Sequence, residues 1–308
     1  MGRARAVGCA RRTGKVQGTL RTRPVSLELG FAAGDFAYLV DLGIPQSAGP
    51  SSAFARDPEI KQEAVFAGPV LRTGTTLVRR TRDYAEVSAE SGRGFDELTR
   101  SLPSYRSVLA EYAHPHALPE LAAVRERLRR WRFYDGFRAD AGAPARHPQL
   151  GTRTPVLSND GSDLAAAIQT IIEAGFDDLS RAVADAFDGA TVSVAVHDGL
   201  FEVQLRQRGT LRPLRAAELS DGTPRFLLWV AALLSPQAPS LMVLNQPETS
   251  LHPNLVRLLA SLIRAAAAQT QVIVVTHSRA LVEATSDDTV EIELSRIAVK
   301  PASPAKIC

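Results

Sequence analysis

Apolar positions in this chain fall into two rhythms, and the change between them divides it. From Ser26 to about Ser88, short segments such as SLELGF, FAYLVDLG and TTLVRRT recur between clusters of Gly, Pro and Ser. That pattern predicts an antiparallel β meander, with Ile60 to Phe66 readable as strand or loop. Pro119 opens a helical stretch with Leu121, Val124, Leu128 and Trp131 on one face and Arg125, Arg127, Arg129 and Arg130 around the rest. The arginines read most simply as a solvated face, with DNA or phosphate contact as the competing role. Residues 139 to 162, with Gly and Pro spread through them and one His, His147, read as a connection between lobes.

After the connection the period becomes helical. Asp163 to Phe187 carries Leu164, Ile168 and Ile171, breaks at Gly175, and resumes with Phe176, Leu179 and Val183. Val192, Val194 and Val196 then alternate up to Asp198-Gly199, and Phe201, Val203 and Leu205 alternate after it, which predicts a hairpin. Leu241 to Leu244 is a short all-apolar run, the composition of a strand buried on both faces of a parallel sheet. Val272 to Val275 repeats it about thirty residues on, the length of a right-handed crossover. Val290 to Leu294 is a further strand candidate. The expected organisation is an α/β chain with a tail over 1–25, a β-meander and helical lobe over 26–138, the connection over 139–162, a core lobe over 163–297 and a tail over 298–308.

With 308 residues, 45% hydrophobic and 22% charged, the chain can bury a full core. Its net charge is +3, but residues 1 to 25 hold seven basic side chains and no acid, so the remainder carries −4. The basic character belongs to the tail, a solvated end that is also a nucleic-acid contact candidate. Only Cys9 and Cys308 occur, so a disulfide framework and a cysteine metal site are excluded and a reducing cytoplasm is expected. No run of 18 apolar residues exists and no export-signal core follows Arg11-Arg12, so no membrane association is expected.

The candidate chemistry gathers between Leu219 and Ser278. Polar residues at the carboxyl end of a parallel strand sit in the crevice where open α/β sheets bind ligands. The first apolar run delivers Asn245, Gln246 and Glu248 to that edge, and the second delivers Thr276, His277 and Ser278. Upstream, Leu219, Ser220, Asp221 and Gly222 lead to Thr223 as the expected N-cap and Pro224 at the first helical position. Free N–H groups and a positive dipole end would face an anion there. Any capped helix, buried strand or core histidine shows one of these features; the three together, in this order, point to phosphate.

The arrangement resembles the C-terminal half of an ABC-type ATPase head of the RecF/SMC kind, over about sixty residues. LSDGT resembles the signature motif, LMVLNQPE the Walker B strand, TSLHP the D-loop and VVTHS the H-loop. Bacterial ATPases related to RecF and to overcoming-lysogenisation nucleases are the most similar kind. The resemblance implies a P-loop-NTPase-like fold, ATP and Mg²⁺ as cofactors, Asn245 in the metal's shell, Gln246 at the general-base position, Glu248 beside it and His277 near the γ-phosphate. It also implies that Leu219, Ser220, Asp221, Gly222, Thr223 and Ser250 bind the nucleotide, with Ser220 and Gly222 completing the partner's site in a head-to-tail homodimer.

Two departures shape the functional expectation. No GxxxxGK[ST] occurs; Gly14-Lys15 is a chance match, with Cys9 where the first glycine belongs and Val16 in place of the hydroxyl. In the resembled family that motif precedes the meander, so a first strand, P-loop and helix are expected to be absent here. Gln246 stands where the family has Glu, and loss of a general base typically costs about 10²- to 10⁴-fold. The expectation is an impaired ATP-binding or ATP-hydrolysing protein of DNA repair or defence, with DNA as a partner candidate. A non-hydrolysing structural or regulatory head is the alternative. A transporter ATPase subunit fits less well, since SLHP is not the transporter D-loop and no Q-loop is recognisable.

Overall fold

The computed structural model describes residues 9–11, 14–16, 26–44, 54, 57–89, 91–175, 177–286 and 289–294. The chain forms two compact units, Met1–Arg129 and Arg130–Cys308.

In the first unit a two-stranded antiparallel pair, β1 (Cys9–Arg11) and β2 (Gly14–Val16), contains Gly14-Lys15 within a strand. A six-stranded antiparallel sheet follows: β3 (Ser26–Ala33), β4 (Phe36–Gly43), β5 (Glu59–Ala67), β6 (Thr76–Thr81), β7 (Tyr84–Ser88) and β8 (Phe95–Thr99). Its spatial order equals its chain order. The expected meander is therefore present, the ambiguous Ile60 to Phe66 is strand, and one more strand is added after Ser88. Three register shifts, at Asp41/Leu42, Val65/Phe66 and Ala85/Glu86, are why alternation alone could not set the pairing. The helices α1 (Val108–Glu111) and α2 (Pro119–Arg129) close this unit. Leu121 and Val124 of α2 join a core with Val65, Val78, Ala85, Leu102 and Val108.

One buried polar network stands in this sheet. Glu63 is 1% exposed and accepts from the Tyr38 hydroxyl (2.8 Å), the Val108 amide (2.9 Å) and the Ser107 hydroxyl. Arg80, 2% exposed, faces Glu63 at 3.5 Å and also donates to the carbonyls of Arg82, Pro103 and Arg106. Burial, with the Glu63 carboxylate beside it, raises the Tyr38 hydroxyl well above the ordinary tyrosine range.

The second unit begins with a strand that the sequence pattern did not indicate. Trp131, expected on the face of the preceding helix, instead opens β9 (Trp131–Tyr134). This strand lies parallel to β14 (Leu241–Asn245), which lies parallel to β15 (Gln271–Val275), in the order β15-β14-β9. Residues 130–138, assigned from the pattern to the first lobe, thus supply a strand of the second unit. WRFY alternates only once between polar and apolar, too short a stretch to distinguish from the end of a helix.

A second sheet is built on the hairpin β11 (Thr191–His197) and β12 (Leu200–Arg206), with β10 (Gln149–Leu150) and β13 (Leu214–Arg215) both pairing to β12. Its turn is the expected Asp198-Gly199, at φ 50° and 77°, the left-handed pair that a two-residue hairpin needs. The helices α3 (Leu164–Glu173) and α4 (Asp177–Ala186) flank Gly175 as expected; Phe176 lies outside the described residues. At the centre runs α5 (Gly222–Leu233), apolar all round and buried from Phe226 to Leu233. The connection packs down on it: a Cβ on Gly161, at φ +69°, would meet Leu228 at 2.3 Å. The amphipathic α6 (Pro253–Ala267) buries Leu255, Val256, Leu259, Ala260 and Ile263, and α7 (Arg279–Thr285) follows β15.

Two expectations fail here for the same reason. The strand β14 is buried on one face only, with Met242 and Leu244 at 1% and 0% exposure. On the other face Phe133, Ile273 and Val275 are 51%, 44% and 44% exposed, because helices cover one side of this parallel sheet among the described residues. Val290 to Leu294, a strand candidate, has no strand partner among the described residues, and Val290, Ile292 and Leu294 are 78–91% exposed. Apolar composition records what a strand can bury, whereas actual burial needs a second layer. Ile273→Thr is accordingly expected to cost less than about 1 kcal/mol of stability in urea unfolding, the range of exposed positions and not of core isoleucines.

Among the described residues, no helix is long and apolar enough to cross a membrane.

Candidate functional site

The carboxyl ends of β14 and β15 come level because Asn245 pairs with Val275 in parallel register. Beyond them the chain is locked in unusual backbone. Gln246 sits at φ +47° and its amide donates to the Val275 carbonyl at 2.7 Å; Ser250 sits at φ +61°. Two non-glycine residues in the left-handed region within five positions store strain of order 1–3 kcal/mol each, a feature that clusters at ligand sites. Gln246 and Ser250 are exposed, so their side chains face solvent.

Glu248 is tied to the neighbouring strand end. Its Oε1 accepts from the Thr276 hydroxyl at 2.6 Å, and Thr276 Oγ1 in turn accepts from the Ser278 amide at 2.9 Å. The other oxygen, Oε2, is buried with no partner among the described residues. Residues 246–252 form no helix; α6 starts at Pro253 with His252 as its N-cap, Nδ1 accepting from the Asn254 amide. His277 is exposed at the end of β15, two residues past the Asn245–Val275 pair.

The helix expected after LSDG starts earlier than its composition suggests. Asp221 occupies the N-cap position without a side-chain cap, and Gly222 is the first helical residue. Thr223 is thus inside the first turn, its hydroxyl 3.2 Å from that of Ser220, with Pro224 following. Proline is tolerated throughout a first turn, since none of those N–H groups has an intrahelical acceptor, so Pro224 did not mark the first position. This end of α5 abuts the loop after β14: a Cβ on Gly222 would lie 3.6 Å from the Ser250 carbonyl, and Arg225 Nη1 donates to the Thr249 carbonyl at 3.1 Å.

Three residues that the sequence reading did not single out shape this region. Arg146, in a short 3₁₀ turn of the connection (Pro144–Arg146), is 4% exposed. It donates to the carbonyls of Ala139 (2.8 Å), Ala216 (3.1 Å) and Leu219 (2.7 Å) and to Asp221 Oδ1 (2.6 Å). That guanidinium fixes the loop leading into α5, and Leu219 is buried against it while Ser220 and Asp221 stay exposed. Just upstream, Arg212 and the Arg215 amide hold the Glu218 carboxylate down to about 2, so what this exposed pair contributes is present above the ordinary 4.5 and lost as pH falls through the folded value.

Asp135 is the second, directly beyond β9. It accepts from Asn245 Nδ2. Trp229 is the third, packed edge-on to Phe137 (4.6 Å between centroids) and Tyr134 (6.3 Å). Asp135 and Trp229, together with Arg225, Gln246 and Thr249, line a cavity of about 200 Å³. The signal for Asp135 was available only in its place, a carboxylate one residue past a strand, and that strand was not recognised.

The family described as "AAA domain, putative AbiEii toxin, Type IV TA system" matches residues 86–283. No curated protein matches the sequence. Several solved structures are similar at low identity. The Smc head domain with a coiled coil and joint from Pyrococcus yayanosii is 17% identical with a TM-score of 0.32, over 38% of this chain and 24% of that one. The SMC head domain from Thermotoga maritima is 15% identical with a TM-score of 0.30, over 73% of this chain and 67% of that one. The Smc head domain with an extended coiled coil from Pyrococcus furiosus, bound to the C-terminal domain of ScpA, is 11% identical with a TM-score of 0.33, over 82% and 73%. This chain therefore spans about a quarter of the first of these structures, and at such TM-scores none of them bears on the chemistry of its site.

Proposed function

This chain belongs to the AAA domain family of the AbiEii type, and on that premise we propose that it is the signature and Walker B half of a RecF/SMC-like ATPase head acting in DNA repair or defence, with hydrolysis impaired. The observation that carries this reading is the meeting of three segments. The ends of β14 and β15 bring Asn245, Gln246 and His277 to one edge, and the start of α5 docks on the loop at Thr249 and Ser250.

In this reading Asn245 holds the Mg²⁺ shell, Gln246 orients the attacking water, and His277 contacts the γ-phosphate. Leu219, Ser220, Asp221, Gly222, Thr223 and Ser250 present the α5 N-terminus to a nucleotide held by a second copy in a head-to-tail dimer. The donor set fits Mg²⁺ only in part: that ion is usually held by one or two carboxylates with phosphate and water completing its shell, and Asn245 and Gln246 offer neutral amide oxygens. When bound, that ion neutralises phosphate charge. Gln246 can hydrogen-bond water but its amide cannot take the proton, so slow turnover is expected. Glu248 is a carboxylate on the same loop, with one buried oxygen unpaired among the described residues. Gln246 equally favours a second reading, a regulatory head that binds and dimerises without hydrolysing.

Calorimetric titration with Mg·ATP tests both. Binding weaker than about 10 μM, roughly −6.8 kcal/mol, is expected, because a signature loop and His277 without a Walker A lysine form only part of a phosphate site. His277→Ala should weaken it at least tenfold further. A dissociation constant at or below about 10 μM would reveal a phosphate loop elsewhere in the chain, and binding indifferent to His277→Ala would remove this residue from the site.

A further inference from the structure

The edge that carries Asn245 and Gln246 has no charge of its own, since both are amides. A divalent cation held there needs an anionic protein ligand to offset the desolvation of its charge. Glu248 does not line this cavity: one oxygen accepts from Thr276 and the other is buried without a partner among the described residues. Lining the cavity at this edge, Asp135 is the one carboxylate among the described residues.

Its position follows from sheet geometry. In the parallel pairing of β9 with β14, Tyr134 is level with Leu244, so the next residue on each strand, Asp135 and Asn245, emerges side by side. The Tyr134 ring is buried and its hydroxyl donates to the Leu157 carbonyl at 3.0 Å, which pins the end of β9. Gly136, at φ +84°, then turns the chain away and leaves Asp135 at the rim. Asn245 Nδ2 is committed to Asp135 Oδ1, so the carbonyl oxygen of that amide is its free acceptor. Around the same cavity two buried donors, Trp229 Nε1 and Arg225 Nε, have no acceptor among the described residues, although Trp229 is only 1% exposed. The cavity thus combines one anion, one oriented amide oxygen and two unused donors, the complement of a cation that arrives with a phosphate.

We infer that Asp135 is the anionic ligand of the cation site at the end of β9 and β14, supplying the charge that Asn245 and Gln246 lack. The inference rests on the reading of Asn245 as a metal-shell residue, and extends it to a residue that neither the motif block nor the pattern of the chain contains.

Manganese alone, an oxygen-preferring divalent ion, is the probe. Loss of its free-ion electron paramagnetic resonance signal measures uptake by the whole chain. Broadening of the Trp229 indole N–H ahead of that of Trp131 places the ion. Asp135→Asn keeps a hydrogen-bond acceptor for Asn245 and removes only the charge, so a merely positioning role would survive it. The expected result is wild-type uptake at millimolar Mn²⁺, a dissociation constant at least tenfold weaker in Asp135→Asn, and a change under twofold in Asp140→Asn, whose carboxylate pairs with Arg138 on the surface. No uptake by the wild type, or Asp135→Asn within twofold of it, would overturn the inference. Asn245→Ala reports separately on the underlying reading: if affinity falls only with Asp135→Asn, Asp135 stands and the role of Asn245 falls.

Discussion

Arg146→Ala is expected to lower the stability of the second unit by about 3–5 kcal/mol and to loosen the loop that leads into α5. Three buried carbonyls, of Ala139, Ala216 and Leu219, lose their donor at once. An unsatisfied buried acceptor costs about 1–3 kcal/mol, partly relieved if water enters the space left behind. The ion pair contributes little to this sum, because Asp221 is 71% exposed in its side chain and its charge remains hydrated when the guanidinium is gone. Asp221→Asn should therefore cost under about 1 kcal/mol. Lysine cannot substitute, since one ammonium cannot reach four acceptors spread as a guanidinium's donors are. Both tryptophans, Trp131 and Trp229, lie in the second unit, so urea unfolding followed by tryptophan fluorescence reads it directly. Hydrogen exchange at Gly222 and Thr223 should accelerate with it. An unfolding midpoint unchanged in Arg146→Ala would show that the loop is held by its own packing.

In the first unit the comparable experiment is Glu63→Ala. It leaves the Arg80 guanidinium buried without a counter-charge, and breaking a buried pair from one side typically costs about 3–5 kcal/mol. Arg80 keeps its three carbonyl acceptors, which limits the loss. Glu63→Gln keeps one acceptor oxygen, enough for the Tyr38 and Ser107 hydroxyls, while its NH2 faces the Val108 amide; it should still cost less than Glu63→Ala, which removes both oxygens. The network also sets an alkaline limit. Burial first, and the Glu63 carboxylate second, raise the Tyr38 hydroxyl above its ordinary 10.0. A raised acid contributes stability that is fully present below that ordinary value and is lost as pH rises through the higher folded one. Circular dichroism of the β signal should thus show the first unit weakening above about pH 10, and Tyr38→Phe should flatten that dependence. Equal stability of Glu63→Ala and the wild type would mean that the guanidinium finds water or another partner.

What was legible from the sequence alone was whatever local rhythm or a short motif carries. The meander over Ser26 to Ser88, the break at Gly175, the Asp198-Gly199 hairpin and the parallel pair built from Leu241–Leu244 and Val272–Val275 all rest on spacing within a few residues, and each is in the structure. So was the placement of Asn245, Gln246 and His277 at strand ends, since a strand that stops must deliver its next residues to the edge. The sequence had no means of stating which elements would meet. Trp131 to Tyr134 is a strand because β14 lies beside it, and only that pairing brings Asp135 to Asn245 across more than a hundred residues. Arg146 could not be read as the brace of the loop before α5, since nothing near it in the chain demands a buried charge; its acceptors at Ala216 and Leu219 are supplied by folding. The apolar run of β14 likewise records a capacity for burial on two faces, and the layers present decide that Met242 and Leu244 are covered while Ile273 and Val275 on the adjacent strand stay half exposed. Local backbone preference acts over three or four residues and is written in the chain directly, whereas burial, charge pairing and the depth of a site are properties of neighbours that the chain acquires only on folding.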